Sequence, residues 1–212
     1  LDFAQRAVII KDRNEVRKMQ VRSFDAHTFY EQESEQCIVL LPGLGYLFDR
    51  PLLRCARTLA LQHGFCVLEL SFGALPYDKA KMKESIERCV PLALQRAEAV
   101  LPLMDGKQLH FIAKSFGTVI AGLLRPQCSD HPAFFLTPLK QTLPMIRETD
   151  HVAYGDGDRF LDAQDLQDLA SRSCRKLLCP GADHSLRHPR EEVSERYLRE
   201  VRAEMERFLD EI

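Results

Sequence analysis

Apolar residues in this chain come in short unbroken runs, separated by longer stretches with helical spacing. "CIVLLPG" (37–43), "FCVLEL" (65–70), "QLHFIA" (108–113), "AFFLTPL" (133–139), "HVAYG" (151–155) and "RKLLCPG" (175–181) each read as a strand. Strands that are apolar throughout bury both faces, as the strands of a parallel sheet do. Helices are predicted between them. Asp49, with Pro51 close behind, opens one that closes at Gly64, and another runs from about Lys79 to Met104 with a kink or break at Pro91. "FGTVIAGLL" (116–124) and "AQDLQDLAS" (163–171) predict two more. The last helix is the plainest, because Val193, Tyr197, Val201, Met205, Leu209 and Ile212 recur at nearly every fourth position and form one buried stripe. The first 35 residues differ: "AVII", "VRKMQVRSF" and "AHTFYEQ" predict short, partly exposed antiparallel strands. The pattern as a whole predicts an α/β fold, a mostly parallel central sheet with helices on both faces.

Composition narrows this only a little. A chain of 212 residues, 45% hydrophobic and 28% charged, fits one globular domain over residues 1–212. Its formal charge of −2 provides no field to draw in nucleic acid or an anionic membrane. No apolar run approaches a bilayer span, and the first residues carry charge where a signal peptide needs an apolar stretch. Seven cysteines, at 37, 55, 66, 89, 128, 174 and 179, are an odd number without a C-x-x-C pair, and several lie within apolar runs. A reduced, cytoplasmic setting is expected. Cys174, Cys179, His184 and His188 lack the close pairs of a zinc site, so no metal is expected.

In a parallel sheet, chemistry sits at the carboxyl ends of the strands. Four ends place small or polar residues directly after a buried run: "PGLGY" (42–46), "AKSFG" (113–117), "GDGDRF" (155–160) and "GADHSL" (181–186). None binds phosphate or calcium by its pattern. Lys114-Ser115 lacks the glycines of a Walker A loop, Phe48 stands where a dinucleotide fingerprint needs its third glycine, and "DGDRFLDAQDLQ" lacks calcium ligands at the required positions. No cofactor is called for.

Ser115 has two readings. It can cap the helix that follows it. It can also be a nucleophile on a strand-to-helix elbow, where Ala113 and Gly117 let strand and helix pack closely around a strained turn. A serine hydroxyl needs a histidine base oriented by a carboxylate, and both are available downstream at strand ends. His184 is the base. Asp158 or Asp156 is the acid, so the order is Ser…Asp…His. Two backbone N–H groups, of Phe116 and of Leu44 between two glycines, are placed to hold an oxyanion. His188, just before Pro189, is expected to cap the last helix, and Asp183 to be a loop residue.

These four segments resemble those of the α/β-hydrolases, specifically a small member without a cap domain, from about residue 36 to the end. "PGLG" is similar to the family's H-G-x-G loop with Pro42 for histidine, "AKSFG" to its G-x-S-x-G elbow with Ala113 for the first glycine, "GDGD" to its G-x-x-D acid turn and "DHSL" to its base loop. The resemblance favours Asp158 over Asp156 as the acid. It implies a serine hydrolase with Ser115, Asp158 and His184 as catalytic residues. Only "KQTLPMIRETD" separates two of the strands, too little for a lid, so an open cleft is expected. Leu44, Tyr46, Leu47, Phe48, Phe72 and the 137–139 turn with Leu139 are its candidate walls, and Lys114, beside the nucleophile, is the one suggestive charge, with solvent exposure as its plainer reading. The implied partner is a small-molecule acyl substrate, a small or moderately hydrophobic ester. Thioesters, short peptides and a non-catalytic binding role are the alternatives.

Overall fold

The computed structural model describes residues 4–12 and 15–212, with side chains from Met19 onward except at position 79; the start of the chain, residues 1–3, lies outside it. Among the described residues, nine strands form one sheet in the order β1-β2-β3-β5-β4-β6-β7-β8-β9. β1 (Ala4–Asp12), β2 (Glu15–Phe24) and β3 (His27–Glu31) are antiparallel to one another, and β3 joins β5 in the same sense. β5 (Cys66–Glu69), β4 (Gln36–Leu41), β6 (Gln108–Lys114), β7 (Ala133–Leu136), β8 (His151–Gly155) and β9 (Arg175–Cys179) are all parallel. β1 and β2, nine and ten residues long, are not the short strands their broken hydrophobic pattern suggests. β1 pairs with β2 along its whole length, and only Gln20–Phe24 of β2 also pairs with β3, so the far part of the two strands extends as a two-stranded ribbon.

The two faces of the sheet are covered by different helices. α1 (Pro51–Gln62) and α5 (Glu191–Glu211) pack on one side, over Ile38, Leu40, Ile112 and Phe134. α2 (Met82–Val100), α3 (Phe116–Cys128) and α4 (Ala163–Ser171) cover Val39, Leu41, Phe111 and Phe135 on the other. Alternate residues of each central strand therefore enter different cores, and Cys37 to Leu41 of β4 are wholly buried.

Three local expectations change. α1 starts at Pro51, whose fixed φ suits the first helical position, while Arg50 flanks it and Asp49 makes no cap. α2 runs unbroken through Pro91. The ring lies on the exposed side of the helix, as does Glu87 one turn earlier, whose carbonyl loses its partner where water can replace it. His188 lies two residues before Arg190, which flanks α5; its Nδ1 accepts the Arg190 N–H, and its own N–H goes to Ser194 Oγ.

Between β7 and β8, residues 137–150 hold only a 3-10 turn, Lys140–Met145, so no inserted domain stands over the strand ends there. Among the described residues, no helix is long and apolar enough to cross a membrane.

Candidate active site

β6 runs straight into α3 with one residue between them, Ser115 at φ 54° and ψ −119°. A side chain in this region is costly and persists only where surrounding contacts enforce it. Here they are visible. The Ser115 N–H donates to Leu136 O of β7 at 3.0 Å, and its carbonyl accepts from Thr118 N at 2.9 Å. α3 can approach β4 because Gly117 has no Cβ, which would lie 2.5 Å from Leu41 O and 2.7 Å from Pro42 O. The serine hydroxyl does not cap α3.

Instead, Ser115 Oγ lies 2.6 Å from Nε2 of His184, whose Nδ1 is 2.6 Å from Asp158 Oδ2. A carboxylate can only accept, so Nδ1 carries the proton and Nε2 is left to accept from the serine hydroxyl. Asp158 is fully buried at its side chain, and its other oxygen accepts the Phe160 N–H at 2.9 Å. The Phe160 ring stands edge-on to the imidazole at 4.4 Å and shields it. Burial pulls the His184 pKa below its usual 6.5, helped by the nearby Lys114 charge and opposed by the hydrogen bond to Asp158.

The neighbouring acids have other partners. Asp156 is exposed and accepts the Gly181 N–H, which ties the β8 and β9 turns together. Asp183 Oδ1 accepts from Ser185 N at 2.7 Å and Arg187 N at 3.0 Å, folding the loop that carries His184.

Across from Ser115, the loop after β4 closes through paired bonds between Gly43 and Tyr46. A Cβ on Gly43 would come within 3.1 Å of Ser115 Cβ, which shows how near the two loops run. Among the described residues, the Leu44 N–H has no acceptor, and the Phe116 N–H is the first of α3, without a partner inside the helix.

A cleft of about 320 Å³ opens over Ser115 and His184. Of the residues expected to wall it, Leu44, Tyr46 and Leu139 do so; Leu47, Phe48 and Phe72 lie elsewhere. Leu47 points to solvent, 57% exposed. Phe48 packs toward the α1/α5 core. Phe72 is buried beneath the elbow, edge-on to Phe116 at 5.4 Å. Tyr77, Met82, Ile86, Arg159 and Phe160 complete the walls. Phe160 and Arg159 follow the acid turn directly and could have been read from that position. Tyr77, Met82 and Ile86 arrive from α2 and its approach, and carry no such signal. Lys114 is the largest departure: it is 1% exposed, not solvent-facing. A larger cleft of about 750 Å³ lies beyond Tyr46 and Ser185, lined by Arg50, Arg187, His188 and α5, but it reaches neither Ser115 nor His184.

Strand order, crossovers and this placement of loops define the α/β-hydrolase fold, in a form without a cap. Solved structures agree. The chain is similar to a protein of unknown function from Agrobacterium tumefaciens described as a putative α/β hydrolase (TM-score 0.61, 16% identity, 97% of this chain and 95% of that one). It is also similar to an esterase from Pyrococcus furiosus (0.61, 13%, 99% and 93%) and to an α/β serine hydrolase without lid from Xanthomonas campestris (0.60, 13%, 98% and 94%). At these identities the likeness establishes the fold. No protein-family model matches the chain, and no curated protein sequence matches it.

Proposed function

We propose that the chain is a serine hydrolase of small or moderately hydrophobic carboxylic esters. The observation that carries this is the linear hydrogen-bonded series Asp158–His184–Ser115, with the serine held on a strained elbow at the floor of an open cleft. Ser115 Oγ attacks the acyl carbon while Nε2 takes its proton. The negative charge moves to the carbonyl oxygen, which the Leu44 and Phe116 N–H groups face; each such donor contributes roughly 3 kcal/mol to the barrier reduction. Asp158 stabilises the imidazolium, which then protonates the leaving alkoxide. Water, deprotonated by Nε2, releases the acid from Ser115 by the same steps in reverse.

Leu44, Met82, Ile86, Leu139 and Phe160 offer the acyl group an apolar wall, and the absence of a lid over 137–150 leaves the cleft open to solvent. The same mechanism would serve thioesters. The cysteines are packed as small hydrophobes, with Cys37, Cys66, Cys89 and Cys179 wholly buried, which suits a reducing compartment such as the cytoplasm.

The test is hydrolysis of p-nitrophenyl esters from acetate to octanoate, with matched thioesters, by wild type, Ser115→Ala and His184→Ala. Both variants are expected to lose at least about 10³-fold in kcat. Turnover near wild type in either would remove that residue from the mechanism, and a folded wild type inert on the whole series would favour a binding protein.

A further inference from the structure

The mechanism above gives no task to Lys114, a charged residue buried beside the nucleophile. Lys114 is the last residue of β6, beside Ser115, and shares its face of the strand with Ile112, so its side chain passes toward the α1/α5 side of the sheet. Its Nζ donates to His184 O at 2.7 Å and to Thr137 Oγ1 just past β7, and lies 5.0 Å from the centre of the Tyr46 ring. Tyr46 is itself held by the Leu52 N–H at the start of α1. Thr137 is buried at φ 44°, with its N–H on Ala153 O of β8. One amine thus joins the ends of β6 and β7 to the loop bearing His184.

We propose that Lys114 is a positioning residue of the triad: by holding the His184 carbonyl against the end of β7, it keeps the imidazole between Asp158 and Ser115. This rests on the hydrolase reading above. Both oxygens that Nζ contacts are neutral, and no carboxylate lies within ion-pair distance of it among the described residues. A neutral amine has two N–H donors, so it satisfies both acceptors; the ammonium adds a third N–H and a charge beside the Tyr46 face. The clamp therefore works in either protonation state. Burial brings the Lys114 pKa down to about 7, against the pull of Asp158 and Asp183.

The titratable groups facing Lys114 are His184 and Asp183 on one loop, Asp158 on the next and Tyr46 on a third. Where His184 takes up its proton, Lys114 is still charged and opposes that protonation. Removing the charge should therefore move the acid limb of kcat/KM to higher pH. A side chain that merely filled space would leave it in place.

The test compares Lys114→Met, Lys114→Gln and Thr137→Val with wild type on p-nitrophenyl butyrate across pH. In Lys114→Met, kcat is expected to fall at least about tenfold with KM within about twofold, and the acid limb to rise by roughly half a unit or more. Lys114→Gln, which keeps an N–H donor without charge, should recover part of kcat while its acid limb stays raised. Thr137→Val removes one anchor and almost no volume; kcat should drop about threefold at unchanged KM, which keeps the idea testable should the lysine variants not fold. Wild-type kcat and acid limb in the folded variants would overturn the role of Lys114. Ser115→Ala, run alongside, tells the two failures apart: if it too kept wild-type turnover, the hydrolase reading would have failed instead.

Discussion

Two aspartates stand two residues apart after β8, and replacing each by asparagine separates their roles. Asp158 has no exposed side-chain surface and lies 2.6 Å from His184 Nδ1. When Nε2 takes the serine proton, a full ion pair forms in that enclosed space. With charge centres about 4 Å apart and an effective dielectric near 20, the attraction is about 4 kcal/mol, or roughly 10³-fold in rate. Asparagine forfeits this attraction. When its NH2 faces the ring it also forces the proton onto Nε2, the tautomer that cannot accept from Ser115. Asp156 is exposed, and its task is to accept the Gly181 N–H, which asparagine can still do at a cost of about 1 kcal/mol in stability. The assay is kcat/KM on p-nitrophenyl butyrate, measured above the imidazole titration range, with thermal melting to verify folding. Asp158→Asn should lose about 10³-fold and Asp156→Asn less than about threefold. A larger loss in Asp156→Asn, or a loss under about tenfold in folded Asp158→Asn, refutes the assignment.

Two further substitutions probe the frame around the site. Gly117→Ala places a Cβ against the Leu41 and Pro42 carbonyls, which backbone cannot easily yield; it should cost about 1–3 kcal/mol by urea unfolding, and a wild-type midpoint would show that the elbow is looser than described. His110 is buried with no partner for either ring nitrogen among the described residues, and burial, with the His131 charge, lowers its pKa to about 4. Well above pH 6.5 it is neutral whether folded or unfolded; as pH falls through 6.5 toward 4 the unfolded chain gains the proton first, so roughly 3 kcal/mol of stability is lost. His110→Leu should flatten that part of the stability–pH curve, and an unchanged slope would contradict this.

The order of strands and helices was legible because the central strands are short apolar runs, as "CIVLL" is, too short for a buried helix and closed by turn residues such as Pro42-Gly43. The loops carrying Ser115, Asp158 and His184 were legible for a related reason: small or polar residues follow a largely apolar run at each of those ends. Lys114 was not. In a strand covered on both sides, period-two reasoning says only that 112 and 114 share a face. It does not say whether a lysine at the rim reaches solvent or turns inward to bond Thr137 and His184. The cleft walls were half legible. Leu44, Tyr46 and Leu139 belong to strand-end loops, whereas Tyr77, Met82 and Ile86 reach the cleft through the way α2 docks on the sheet, a tertiary outcome. Phe48 and Phe72, close in sequence to strand ends, are drawn into the two cores instead.

A fluorophosphonate probe tests whether Ser115 is an activated nucleophile without knowledge of the substrate. Folded wild-type protein should take up one adduct, mapped by peptide mass spectrometry to the segment containing Ser115, with labelling lost in His184→Ala and in protein unfolded beforehand. Folded protein that stays unlabelled, or an adduct on a different serine, would contradict the account.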